Sequence, residues 1–332
     1  MNTPVYTVTP KALDLVAKIA EIVGELQGSG EYARNLRLRK VNRLRSIQSS
    51  LAIENNSLSL DAVTDVVNGK TVFGAPDEIL EVKNAYRAYE QLLEYDPCDV
   101  NDFLRAHGVM ANDLVHSAGM FRSKSVGVYA GDVLIHAGAK AEFVPRLMRD
   151  LFDWADNSDI HPLIKSSIMH FEIEFIHPFA DGNGRLGRLW QTLVLAQWNE
   201  LFAWLPIETV IYENQQGYYD ALGRAGKSGD SGVFIEFMLD VIYQALSELP
   251  VRKITDIFPD INTDVLTRTG LEFLESIAGF LEKHGEITNY KAQVLTNLSA
   301  DSVKKYLVRF VEIGLLVAIG EKKGRKYRIA TR

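Results

Sequence analysis

His177-Pro178-Phe179-Ala180-Asp181-Gly182-Asn183-Gly184-Arg185-Leu186-Gly187-Arg188 joins one run of helical periodicity to another by a turn rich in glycine. Asp181-Gly182-Asn183-Gly184 combines residues that tolerate positive φ, so the backbone can turn sharply with its N–H groups facing one point. Helical spacing resumes at once, which places those N–H groups at a helix N-terminus, a ready anion site. Arg185 and Arg188 lie three apart, on neighbouring parts of one helix face, where they can approach phosphate oxygens. Asp181 is a hard oxygen ligand suited to Mg²⁺ bridging phosphates. His177 closes the preceding helix and can take up a proton near neutral pH. Singly, each has a plain explanation: a cap for His177, a stop for Pro178, an N-cap for Asp181. Together within twelve residues they point to one phosphate-handling site.

Two other phosphate motifs fail on context. Gly182 to Gly187 matches G-x-G-x-x-G, but a dinucleotide fold needs a strand before it and βαβ units around it. Leu163, Ile164, Ile168, Phe171 and Phe175 instead recur at helical spacing, and no parallel-sheet rhythm follows elsewhere. Gly223-Arg224-Ala225-Gly226-Lys227-Ser228 lacks the first glycine of a Walker A loop, because Ala221 stands there. It reads as a helix end.

Working outward, the chain is mainly helical. Ala12–Leu26 and Tyr32–Ile53 read as helices across Gly28-Ser29-Gly30, and a third runs from about Asp77 to Tyr95, ended by Asp96-Pro97. Further helices are expected from Asp102, Ala141, Pro162, Gly184, Gly217 and Ser231. Residues 125–136 place two β-rich runs around Ala130-Gly131-Asp132, a hairpin signal. Pro250 to Asp264 reads as a linker. After it, Val265–His284 and Ser299–Glu312 read as helices and Leu315–Ile329 as a strand pair, the order of a winged helix-turn-helix.

Bulk properties narrow the class. The 332 residues are 47% hydrophobic and 24% charged, ordinary globular composition. Residues 251–332 carry 14 basic against 10 acidic side chains, so a tail of +4 follows a body of −11 within a chain of −7. That balance excludes wholesale coating of nucleic acid. Cys98 is the single cysteine, which rules out an intrachain disulfide or a cysteine-based zinc site. No signal peptide and no apolar run of membrane-spanning length is visible, so a cytoplasmic protein without a membrane partner is expected.

The segment 177–188 resembles the signature of the Fic family, H-P-F-x-[D/E]-G-N-G-R-x-x-R, with every fixed position matched. The resemblance implies a helical core in which the motif joins two helices, with His177 as general base on a target hydroxyl and Phe179 as an anchor into the core. Asp181 would bind Mg²⁺, Gly182, Asn183 and Gly184 would hold nucleotide phosphates, and Arg185 and Arg188 would reach the outer ones. Gly182, where a kinase-like subclass has lysine, favours nucleotidyl transfer. The implied activity is transfer of AMP from ATP to a Ser, Thr or Tyr hydroxyl of a protein target. The hairpin, about 123–137, corresponds to a flap that pairs with an extended target segment by β-augmentation. Tyr218 and Tyr219 resemble the segment near the adenine pocket, with buried helix aromatics as the competing reading.

Ser50-Leu51-Ala52-Ile53-Glu54-Asn55 matches the family's inhibitory motif, [S/T]-x-x-x-E-[G/N]. Ser50 and Glu54 share a helix face, and a carboxylate bidentate on Arg188 would take the place of the γ-phosphate. The expected layout is an N-terminal helical region at 1–95 with the inhibitory helix around 32–55, a catalytic core at 96–249, a linker at 250–264 and a winged helix at 265–332. Alternatives stay open: an enzyme that also or mainly removes AMP by way of Glu54, and a DNA-binding regulator. For the latter, Ser302, Lys304, Lys305 and Arg309 would lie on the recognition helix and residues 322–328 would form a basic wing. Protein docking fits that segment as well, and self-modification and a homodimer are compatible with the family resemblance.

Overall fold

The computed structural model describes residues 3–29, 36–124, 127–130, 133–249, 257–258, 261, 266–296, 298–321 and 324–330. Contacts divide the chain into two units, Met1–Ala20 with Arg37–Glu248, and Glu21–Leu36 with Leu249–Arg332. The structure is mainly helical. In chain order come α1 (Pro10–Ser29), α2 (Leu36–Ile53), α3 (Leu60–Val67), α4 (Pro76–Glu90) and α5 (Val100–Met110), then β1 (Gly127–Ala130) and β2 (Val133–Ala137). There follow α6 (Val144–Asn157), α7 (Pro162–Ile176), α8 (Asn183–Trp198), α9 (Ile207–Glu213), α10 (Gln215–Ser228) and α11 (Gly232–Ser247).

The centre of the first unit is the packed pair formed by α7 and α8, which the segment 177–182 joins. Both helices are buried nearly all round, polar residues included, the pattern of a helix packed on every side. Pro162 at the first helical position and His161 Nδ1, accepting from Leu163 N at 3.2 Å, start α7. Phe103, Phe152, Phe179 and Trp190 interlock between these helices and α5 and α6, with Phe103 edge-on to Trp190 at 5.0 Å and 84°.

Helix α2 buries Leu44, Ile47 and Leu51 in this core and adds polar contacts. Small residues on one face let it approach closely: Ser46 Oγ donates to Glu208 Oε2 at 2.7 Å and Ser49 meets Thr209 at 3.2 Å. Glu208 is buried and also accepts from Tyr89 at 2.6 Å and Thr192 at 3.4 Å. Arg43 donates to the carbonyl of Tyr89 and lies 4.2 Å over the Trp204 ring. These contacts fix α2 against α4, α9 and Trp204.

The hairpin expected at 125–136 is present as antiparallel β1 and β2, with a register irregularity between Val128 and Tyr129. Residues 125, 126, 131 and 132 lie outside the described residues, as do 30–35 before α2 and most of the expected linker. Helix α3 was not legible beforehand; it is short, capped by Ser59, whose Oγ accepts from Ala62 N at 3.2 Å. The helix expected to run to Tyr95 ends at Glu90, because residues Leu92–Glu94 tighten into a 3₁₀ turn. Residues 171–176, ahead of the glycine turn, are the last part of α7, as their helical spacing predicts, and 223–228 ends α10.

In the second unit, α12 (Arg268–His284), β3 (Ile287–Thr288), α13 (Asn289–Thr296), α14 (Ala300–Glu312), β4 (Leu316–Ile319) and β5 (Lys326–Ile329) surround a core that includes Phe273, Ile277, Leu307 and Phe310. The anticipated strand pair gains a third strand, in the order β3-β5-β4. Lys304, Lys305 and Arg309 lie exposed on α14, Ser302 is half-buried, and Lys322 and Lys323 fall outside the described residues.

Candidate active site

Helix α7 ends on His177 in the left-handed region, at φ 53° and ψ 66°, with its N–H on the carbonyl of Ile173 at 2.9 Å. A non-glycine residue there is uncommon and costs on the order of 1 kcal/mol. The turn that follows is closed by Asn183. Its Oδ1 accepts from Phe179 N at 2.8 Å and its Nδ2 donates to Phe179 O at 3.0 Å, so the side chain completes the loop. Gly182, at φ 81°, caps α8, and Asp181 Oδ1 accepts its N–H at 2.6 Å. The first turn of α8, from Asn183, therefore supplies the helix N-terminus the sequence predicted.

Two buried side chains hold this loop from outside it, and sequence reading found neither. His107 on α5 stacks on Phe179 at 3.6 Å and 4°, accepts from Gly119 N through Nδ1 at 2.9 Å, and lies 2.9 Å from Asp181 O through Nε2. Acceptance at Nδ1 assigns the proton to Nε2, which donates to Asp181. Burial lowers the His107 pKa to about 4. Arg122 donates from Nε to His177 O at 2.6 Å and from Nη2 to Ile176 O at 3.2 Å. Its spacing to the motif is too long for any pattern to signal.

Both motif arginines are buried and paired. Arg185 bridges Glu81 Oε1 at 2.8 Å and Asp181 Oδ2 at 3.1 Å. Arg188 donates from Nε to Ser50 Oγ at 3.0 Å, and from Nη2 to Ser50 O at 2.9 Å and Glu54 Oε1 at 2.7 Å. Burial opposes its charge, but Glu54, Tyr218 and Glu174 hold its pKa above the usual value. The anticipated bidentate geometry is replaced by one carboxylate contact, with Ser50 taking the Nε bond. Glu54 stands one residue beyond α2, whose last turn folds back through Asn55 at φ 70°. Its carboxylate lies over the front of α8: a methyl group added at Gly184 would overlap Oε1 and stand 3.2 Å from the carboxyl carbon. Glu54 thus fills the space in front of the α8 N-terminus.

Behind Arg188 lies a buried polar layer. His170 meets Gln191 at 2.5 Å and Tyr218 Oη at 3.0 Å, and burial lowers its pKa to about 3. Glu174, one turn before His177, is raised to about 7 by burial, against the pull of Arg188 and with the repulsion of Glu54. Its Oε1 and Gln191 Nε2 have no hydrogen-bond partner among the described residues. Tyr218 is wholly buried in this layer. Tyr219 is half-buried, and its hydroxyl meets Ile53 O at 3.4 Å, beside Gln215 Nε2 at 3.0 Å.

The chemistry of the set is compatible with Mg²⁺. The Asp181 side chain is 62% exposed at the mouth of the site, although no group of three metal-holding side chains exists among the described residues. One carboxylate plus substrate phosphates is a usual arrangement for this ion.

A family model described as the Fic/DOC family matches residues 97–195. A Fic family protein from Desulfovibrio desulfuricans G20, known from its crystal structure, is 39% identical and superposes with a TM-score of 0.72 over 100% of this chain and 99% of its own. The chain belongs to the Fic family. This Fic protein is also 26% identical to the protein adenylyltransferase Fic of Nematostella vectensis over 205 residues, 58% of this chain and 45% of that one. It is 28% identical to the protein adenylyltransferase fic-1 of Caenorhabditis elegans over 205 residues, 58% and 38% of the two chains. The chain spans less than half the length of either. The structure of C. elegans Fic-1 (residues 134–508) shares the fold, with a TM-score of 0.56 at 21% identity over 71% of each chain. Among the described residues, no helix is long and apolar enough to cross a membrane.

Proposed function

We propose that this Fic protein transfers AMP from ATP to a hydroxyl of a protein target, and that Glu54 holds the reaction down. The observation that carries the reading is the 177–188 loop itself, closed by Asn183 around a helix N-terminus with His177 at its entrance. His177 removes the target hydroxyl proton. The oxygen attacks the α-phosphorus, the bond to the β-phosphate breaks, and pyrophosphate leaves. The first-turn N–H groups of α8 and the two arginines bind and orient the polyphosphate, so most of the acceleration comes from positioning and electrostatics. Mg²⁺ held by Asp181 and the nucleotide would supply charge neutralisation at the phosphates.

Inhibition is supported by the position of Glu54: its carboxylate takes one Arg188 nitrogen and fills the space in front of Gly184. A γ-phosphate needs both. Removal of AMP by the same glutamate is the companion reading, and Glu54-dependent loss of label from a modified target would separate the two.

The layout follows as a proposal: inhibitory residues within 1–95, a catalytic core at 96–249 with β1–β2 as target-pairing flap, and a winged helix at 265–332. Exposed Lys304, Lys305 and Arg309 on one face of α14 suit phosphate contacts. A salt-dependent shift of duplex DNA tests this; no shift at low salt rejects it.

The transferase reading is tested with α-³²P-ATP, Mg²⁺ and the purified chain plus lysate. Label on protein that His177→Ala abolishes supports it; a general base is worth about 10²–10⁴-fold. Equal label with His177→Ala overturns it.

A further inference from the structure

A guanidinium that is 5% exposed and spends its bonds on main-chain oxygens is costly to bury, so its geometry has to return something. Arg122 does this between two parts of the molecule. Nε and Nη2 hold the carbonyls of His177 and Ile176, while its own N–H donates to Pro178 O at 3.0 Å. Nη1 donates to Lys124 O at 2.7 Å, and Nη2 also donates to Ala139 O. Lys124 lies three residues before β1 and Ala139 two after β2. One planar group therefore joins both ends of the hairpin to the peptide that carries the base.

We infer that Arg122 is the positioning residue that couples the β1–β2 hairpin to His177, so that a target segment seated on the hairpin finds the imidazole aligned. The inference rests on the transferase reading for its activity arm only. His177 sits in a backbone region it does not favour and precedes a proline, so its peptide plane needs an outside restraint. The Nε bond to its carbonyl is that restraint. Displacing either hairpin end moves an acceptor of the same guanidinium, and a 1 Å misplacement of a reacting group can cost about 100-fold. A lysine in this position keeps the charge but not the planar fork, and so cannot span four carbonyls.

The test compares Arg122→Lys with its parent in a Glu54→Gly background. Three quantities are read: transfer from α-³²P-ATP with its pH profile, binding of the non-cleavable analogue α,β-methylene-ATP, and amide hydrogen exchange across residues 177–183. The expected result is transfer down about 100-fold with an altered acidic limb of the pH profile, since the base is misaligned. Analogue affinity should stay within about threefold, and exchange at Phe179 and Ala180 should speed by about tenfold. Unchanged exchange at 177–183 overturns the inference, as does a fall in transfer matched by an equal fall in analogue binding. A parent that transfers no label sinks the transferase reading, while the exchange arm still decides the role of Arg122. If Arg122→Lys loses its cooperative melt, Arg122→Gln, which keeps two donors on a shorter stem, is read the same way.

Discussion

Glu54 Oε1 stands 2.7 Å from Arg188 Nη2, and Ser50 holds the same guanidinium through its hydroxyl and its carbonyl. The end of α2 is therefore built around an arginine that belongs to the Fic signature. Ser50→Ala removes one bond to Arg188 and leaves Glu54 in place. A hydrogen bond from a charged group contributes about 1.5–3 kcal/mol, so self-labelling should rise by about tenfold. Quantified autoradiography of the two proteins side by side checks this.

Glu208 anchors α2 from behind, accepting from Ser46, Tyr89 and Thr192. Glu208→Ala should lower stability by about 1–3 kcal/mol, the range for stripping partners from buried polar groups. Self-labelling should rise as α2 loosens. Chemical denaturation together with the labelling assay separates the two effects, and a destabilised protein with unchanged labelling would show that α2 keeps its place by other contacts.

Asn183 is occupied by the loop and not by solvent-facing chemistry. Asn183→Ala should leave two main-chain groups of Phe179 without partners, at a cost of about 1–3 kcal/mol. In a Glu54→Gly background it should reduce transfer by about 100-fold, as expected for a misplaced loop. A melting curve confirms that the fold survives.

His107→Phe keeps a ring against Phe179 but removes the bonds to Asp181 O and Gly119 N. Weaker binding of α,β-methylene-ATP is expected, since the helix N-terminus is no longer pinned, with a stability loss of about 1–3 kcal/mol. Calorimetric titration measures the binding and chemical denaturation the stability.

Glu174 gives a pH dependence of definite sign. Its pKa is raised by burial to about 7 in the folded protein, above the ordinary carboxylate value of 4.5. Between those values the unfolded chain has lost a proton that the folded one keeps, so stability falls as pH rises through the window. Glu174→Gln should melt close to the parent at pH 4 and increasingly above it from pH 5 to 7.5. A constant difference across that range would contradict the assignment.

The sequence exposed the site where chemistry and chain order coincide. Residues 177–188 are contiguous, so the turn, the helix N-terminus and the arginine face could all be read from spacing, and Ser50 and Glu54 from a second short pattern. His107 and Arg122 were invisible because their partners are main-chain carbonyls and an aromatic face 55 to 74 residues away. Main-chain acceptors leave no residue-specific trace. Asn183 was expected among the phosphate-holding residues; its side chain closes the loop on Phe179, a contact its type and spacing did not announce, and its main chain opens α8. Tyr218 and Tyr219, read as one pair, divide between the layer behind Arg188 and the end of α2. Helix α3 and strand β3 were missed because each is too short to develop a period.

In the proposed switch, Glu54 and the nucleotide compete for Arg188 and the space before Gly184. Transfer from α-³²P-ATP by the wild-type chain and by Glu54→Gly, at equal concentration with Mg²⁺, measures this competition most directly. Releasing one charge-assisted bond of about 1.5–3 kcal/mol predicts a rise of at least about tenfold in Glu54→Gly, abolished by adding His177→Ala. Equal labelling by wild type and Glu54→Gly would contradict the account.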